Sequence, residues 1–228
     1  MLQTVSQRFQ GSCMMVMRST GTEVTFLGSA FLIHSEGYLL TAARNVSDDS
    51  ALVVVPPDSS STFPLVTRDE VAPVPVKVVA RDTPRDVALL KLTPELEINM
   101  PEEVLGQGDS DSRGALLMSL GIPFGYYRVH GVMAVQSILS GRIQSRTGTR
   151  LIIFDRRVQY GDVGGPLISV DDGRVIGVVG GVFDPVELEG VTLPENVTIN
   201  SSLSYAMSIE YGTALLEKAL EAPQTPAE

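Results

Sequence analysis

Gly28-Ser-Ala-Phe-Leu-Ile-His-Ser-Glu-Gly-Tyr-Leu-Leu-Thr-Ala-Ala-Arg-Asn-Val46 is the stretch on which the reading of this chain turns. An apolar run over 24–33 leads into it, Ser35-Glu36-Gly37 interrupts, and a second run over 38–40 follows. Short apolar runs broken by turn-tolerant residues are the pattern of a strand, a turn and a returning strand. The habit extends outward. Runs at 13–17, 51–55, 74–80 and 87–92 are bounded by turns such as Pro56-Pro57-Asp58 and Asp82-Thr83-Pro84. The second half repeats it at 116–120, 129–139, 151–154, 166–170, 175–179 and 203–208. Asp171-Asp172-Gly173 predicts a hairpin between two of these runs, because such a turn needs residues tolerant of positive φ. The spacing is all-β. One segment, 209–220, reads as a helix: Ile209, Leu215, Leu216 and Leu220 share a face, with Glu217, Lys218 and Glu221 toward water. It is expected at the end of the second half's β structure.

The 228 residues are 43% apolar and 19% charged, which is the usage of a folded chain. With a formal net charge of -10, binding to nucleic acid or an anionic membrane would need a local basic patch acting against the overall field. The nearest grouping, Arg142, Arg146, Arg150, Arg156 and Arg157, alternates with acceptors around predicted turns and reads as solvated. No nucleic-acid or membrane partner is expected. Cys13 is the only cysteine, so an intrachain disulfide is excluded. Residues 1–18 lack the pattern of an export leader, and together these lead to a cytoplasmic expectation. Cys13 itself is expected in the core of the first strand. His34 and His130, far apart in sequence, give no metal-ligand spacing, and no cofactor is expected. The sequons at Asn45, Asn196 and Asn200 are read as chance.

Three segments carry a resemblance. The opening stretch ends in Leu40-Thr-Ala-Ala-Arg44-Asn-Val46; Arg81-Asp-Thr-Pro-Arg-Asp86-Val-Ala-Leu-Leu-Lys-Leu92 follows; and Asp155-Arg-Arg-Val-Gln-Tyr-Gly161-Asp162-Val163-Gly-Gly-Pro-Leu167 comes last. In that order and spacing they resemble the trypsin-like serine proteases, and the HtrA group in particular. Gly121-Ile-Pro-Phe-Gly125, Ser137-Ile-Leu-Ser-Gly-Arg142 and Ser204-Tyr-Ala-Met-Ser208 add softer matches to the same group. The resemblance stops at the protease domain. It implies an all-β fold of two packed six-stranded antiparallel β-barrels with a C-terminal helix. The first barrel is expected over 1–95, a connector over 96–108, the second barrel over 109–208 and the helix over 209–221. Residues 222–228 are expected to be a tail, or a linker to a further domain after Glu228.

The resemblance also assigns a triad in which two of the three residues are replaced. Asp86 stands at the aspartate position, Arg44 where the family has its histidine and Val163 where it has its serine. A guanidinium stays protonated at any working pH, so it neither accepts a proton nor returns one, and valine has no oxygen to attack with. Arg44 is expected to turn toward Asp86 and pair with it. Neither His34 nor His130 matches the base position. Gly161, Asp162 and Val163 form the oxyanion loop by resemblance, and its main-chain donors are expected to stay available.

The expected function is therefore that of an inactive protease homologue, a binding or scaffold domain that takes a peptide or protein partner in the inter-barrel cleft. The alternative is a serine endopeptidase represented here by an inactive variant. Arg157 would favour an acidic ligand if it faced the cleft; the sequence alone reads it as a turn residue facing water.

Overall fold

In the computed structural model, the short apolar runs close into two antiparallel barrels. The structure describes residues 1–221 except 10, 21–22, 48–50, 58–71, 102 and 199. Asp58 of one expected turn and the 222–228 tail lie outside the described residues.

The first barrel joins β1 (Cys13–Thr20), β2 (Glu23–His34), β3 (Tyr38–Thr41), β4 (Leu52–Val55), β5 (Val74–Asp82) and β6 (Val87–Leu92) in the order β1-β2-β3-β6-β5-β4. The second joins β7 (Leu116–Gly121), β8 (Met133–Gln144), β9 (Arg150–Phe154), β10 (Pro166–Ser169), β11 (Val175–Val182) and β12 (Ser204–Ser208) in the order β10-β11-β12-β9-β8-β7. Closure pairs β4 with β1 and β7 with β10, so neither sheet leaves an open edge. The 171–173 hairpin forms between β10 and β11, with Gly173 at φ 68°. β8 begins at Met133, later than the run at 129, and extends to Gln144.

Each barrel has its own apolar interior. Val16, Leu39, Val54 and Leu90 fill the first; Leu117, Phe154, Leu167 and Ile176 fill the second. A third set, including Phe31, Leu40, Leu120, Ile122 and Tyr205, packs where the two barrels meet. Cys13 lies in β1, 1% exposed. Burial pushes its thiol up to about 12, which leaves almost no thiolate at neutral pH. The native protein is expected not to react with a disulfide reagent such as DTNB at pH 8 and to release one equivalent only after unfolding. Rapid labelling of the folded chain would show the strand to be open.

Two helices escaped the sequence reading, α1 (Leu2–Arg8) and α2 (Pro185–Glu189). Both are too short for periodicity to separate them from a turn. The terminal helix, α3 (Glu210–Glu221), is where it was expected in sequence, but its packing corrects the expectation. It follows the last strand of the second barrel and lies on β5 and β6 of the first. Gly212 allows this, since a side chain there would occupy the space of Leu40.

Candidate active-site cleft

Asp86 follows a 3₁₀ turn over Thr83–Arg85 that the Asp82 carboxylate caps by accepting from the Arg85 N–H. It takes the left-handed conformation, φ 55° and ψ 42°, which aspartate tolerates better than most residues. Its main-chain oxygen accepts from the Ala43 N–H, docking the 3₁₀ turn Ala43–Val46 that carries Arg44. The two carboxylate oxygens then divide their work. Oδ1 accepts from the Arg44 main-chain N–H at 2.9 Å, and Oδ2 from Arg44 Nε at 2.7 Å. Arg44 also reaches across to the second barrel, where Nη2 donates to the Tyr205 hydroxyl at 2.9 Å. Burial works against the Arg44 charge, but the Asp86 hydrogen bond and the surrounding electrostatics outweigh it and raise its pKa further. Arg44 therefore holds its proton at every pH the fold survives.

Val163, 7% exposed, ends a 3₁₀ turn over Tyr160–Asp162. The Val163 N–H donates to the Tyr160 carbonyl at 3.3 Å. Because the Tyr160–Gly161 peptide is trans, the Gly161 N–H points opposite that carbonyl, away from Val163. The expectation that the loop keeps its donors available is corrected: one is spent inside the loop and the other faces away. The loop is pinned from behind by buried polar groups. Ser29 Oγ donates to the Gly161 oxygen at 2.7 Å, while the Ser29 N–H and Asn45 Nδ2 both donate to the Val163 oxygen, at 2.9 and 3.0 Å. Gly28 makes this approach possible, since a Cβ there would strike Asn45 and the Val163 carbonyl.

Asp162 is fully buried. Its Oδ2 accepts from Arg156 Nη2 at 2.7 Å and from the Gln159 N–H at 3.0 Å, and Arg156 also donates to Ser119 Oγ. Burial raises the Asp162 pKa above its ordinary 3.8 against the pull of Arg156, and burial lowers that of Arg156. Arg156, 11% exposed, is thus largely withdrawn from water against a buried carboxylate and is not the solvated turn residue that its sequence neighbours implied.

A cleft of about 490 Å³ opens on the second barrel where Arg44 of the first reaches it, lined by Arg44, Arg157, Tyr160, Val163, Asp184 and Tyr205 among others. Arg157 lines it and, as expected of a turn residue, stays exposed to water; Nη1 donates to Asn200 Oδ1 at 3.1 Å. The structure thus gathers Arg44, Asp86, Val163 and the 161–163 loop at one place. Tyr205, Asn45, Ser29 and Arg156 complete it and were not singled out by sequence reasoning. Tyr205 sat inside a stretch read only as a strand, and its reach to Arg44 spans 161 positions of sequence. His34 accepts from the Glu36 N–H in the β2–β3 turn and takes no part. Among the described residues no group of three or more His, Cys, Asp or Glu could hold a metal ion, and no helix is long and apolar enough to cross a membrane.

The sequence profile of the trypsin-like peptidase domain matches residues 28–178, which contain all three triad positions. The chain belongs to the trypsin-like peptidase family. Within it the chain is HtrA-like: it is 30% identical over 164 residues to a protein of Pseudomonas fulva named probable periplasmic serine endoprotease DegP-like. A namesake in Pseudomonas putida is 31% identical over 162 residues. Each match covers 71% of this chain, and the chain spans 30% of the length of these relatives. In fold it matches the solved HtrA-type protease AlgW with decapeptide at a TM-score of 0.69, 18% identity, covering 97% of this chain and 68% of that one. The cytoplasmic expectation is corrected by the relatives' names, which place them in the periplasm. A lone cysteine is silent about compartment here, because two closed barrels with apolar interiors need no bridge to stay folded.

Proposed function

We propose that this HtrA-like domain is a pseudoprotease that binds a peptide or protein partner in the inter-barrel cleft and does not cleave it. One observation supports the reading most: the position of the general base is filled by a guanidinium fastened to Asp86 and to Tyr205. A base must accept a proton, and a cation with two acceptors of its own has nowhere to put one. Val163 removes the nucleophile, and the Tyr160–Val163 hydrogen bond removes the oxyanion donor that commonly persists when a triad is lost. What remains is a concave site lined by side chains of the second barrel with Arg44 of the first, large enough to take part of a peptide. The solved AlgW structures with decapeptide and tripeptide make a peptide the class of partner to try first, and the relatives make the periplasm the compartment in which to look for it.

Incubating the purified chain with casein and, separately, with a fluorophosphonate probe for activated serines is expected to give neither fragments nor labelling. Cutting that tracks with the chain through purification and stops with a serine-protease inhibitor would overturn the proposal.

A further inference from the structure

Arg44 has five N–H donors, of which the structure occupies only part. Nε serves Asp86, and Nη2 serves Tyr205 and the same carboxylate. Both N–H groups of Nη1 are left without an acceptor among the described residues, on a side chain that is 52% exposed and lines the cleft. A few residues away on the lining, Arg157 donates to the neutral Asn200 Oδ1 and Ser201 carbonyl and meets no carboxylate among the described residues. The one described carboxylate on the lining besides these cations, Asp184, is engaged as the cap of α2, accepting from the Val186 N–H at 2.8 Å. Asp86 lies behind Arg44 and is already saturated by it. In a chain whose net charge is -10, this cleft is an island with cationic donors pointing outward.

From this geometry we infer that the cleft recognises a carboxylate carried by an extended peptide, seated on Arg44 Nη1 with Arg157 as a second cation. The inference rests on the cleft being a peptide-binding site, as proposed above. Three features favour a carboxylate over a neutral acceptor. A planar guanidinium presents paired donors that match a carboxylate, and such charge-assisted bonds are roughly twice as strong as neutral ones. Val163, on the same lining, has a side chain with no donor or acceptor to compete for the guanidinium. Tyr205 and Asp86 fix the guanidinium from the other side, so its orientation is already determined before a ligand arrives. The chemistry that emptied this site of catalysis has in the same step given it an anion anchor.

The test uses three probes on the intact chain: acetyl-Ala-Ala-Glu-Ala-Ala-amide, its Gln counterpart as amide, and the Gln counterpart with a free C-terminal carboxylate. Titrations followed by ¹⁵N chemical shifts, including that of Arg44 Nε, give the dissociation constants. One of the two carboxylate-bearing peptides is expected to bind about tenfold or more tightly than the Gln amide, the ratio a charged hydrogen bond supplies. Which of the two does so identifies the source of the carboxylate, side chain or chain end. The advantage is expected to vanish in Arg44→Gln and to shrink in Arg157→Gln and at high salt. Equal affinity of all three peptides with shifts confined to the cleft would overturn the carboxylate inference and leave the peptide-binding reading standing. No shift in the cleft with any probe would count against both. The comparison of peptides on the unaltered chain decides the matter even if Arg44→Gln fails to fold.

Discussion

Replacing Arg156 with methionine is expected to destabilise the domain by about 3–5 kcal/mol, the range found when one partner of a buried ion pair is removed. The size follows from what is left behind. Asp162 has no exposure at all, its Oδ2 draws on Arg156 and the Gln159 N–H, and its Oδ1 already lacks a hydrogen-bond partner among the described residues. Without Arg156 the carboxylate must either stay charged in an apolar setting or take up a proton. The pH dependence gives the sign. Burial raises the Asp162 pKa in the folded state above 3.8 despite Arg156, so this group favours folding below its ordinary pKa, and that share is lost as pH rises through the raised value. Removing the cation raises the folded pKa further, so the loss in Arg156→Met grows as pH rises and shrinks toward acid. Urea titrations of the two proteins across pH 4 to 8 measure it. The double variant Arg156→Met with Asp162→Asn should recover a large part of the loss, since no charge is then buried. A cost below about 1 kcal/mol in the single variant would mean that Asp162 reaches water.

Restoring histidine at 44 and serine at 163 is the second experiment with a large expected effect, and most of that effect should be absent rate. Asp86 is already placed to orient an imidazole, since its Oδ2 accepts a side-chain N–H from position 44 now. A base and a nucleophile would therefore return. The oxyanion donors would not, because the Tyr160 carbonyl holds the N–H of residue 163 and the Gly161 N–H faces away. Loss of one such donor costs about 10²–10³ in turnover. The double variant is expected to cut casein more slowly than an HtrA-type relative by at least that factor. Full activity would show that the loop opens readily and that the domain lost its chemistry through the two side chains alone. A slow variant supports a site remodelled beyond its triad.

Strand positions could be read in the sequence because apolar runs and turn residues are local signals, and the family resemblance fixed the pairing of Asp86 with position 44. The features that define the site's present chemistry are non-local. Arg156 looks like any turn arginine until β7 brings Ser119 and the 160–162 turn brings Asp162 to it. Arg157, its neighbour, stays exposed on the lining of the cleft, and nothing in the order of residues distinguishes the two. The loop conformation was illegible for a different reason: Gly161-Asp162 is compatible with either orientation of the peptide before it, and hydrogen bonds from Ser29 and Asn45 in the other barrel accompany the one observed. Helix α3 could be drawn from its periodicity, but the barrel it covers depends on Gly212 meeting Leu40.

That last placement has a mechanical consequence. A helix that grows out of one barrel and rests on the other works as a clasp, and Arg44 with Tyr205 forms a second fastening at the mouth of the groove. Prising the halves apart would require undoing both together. A ligand of the kind proposed above would then meet a gap braced on two sides, with shape and charge at the rim left to sort what enters.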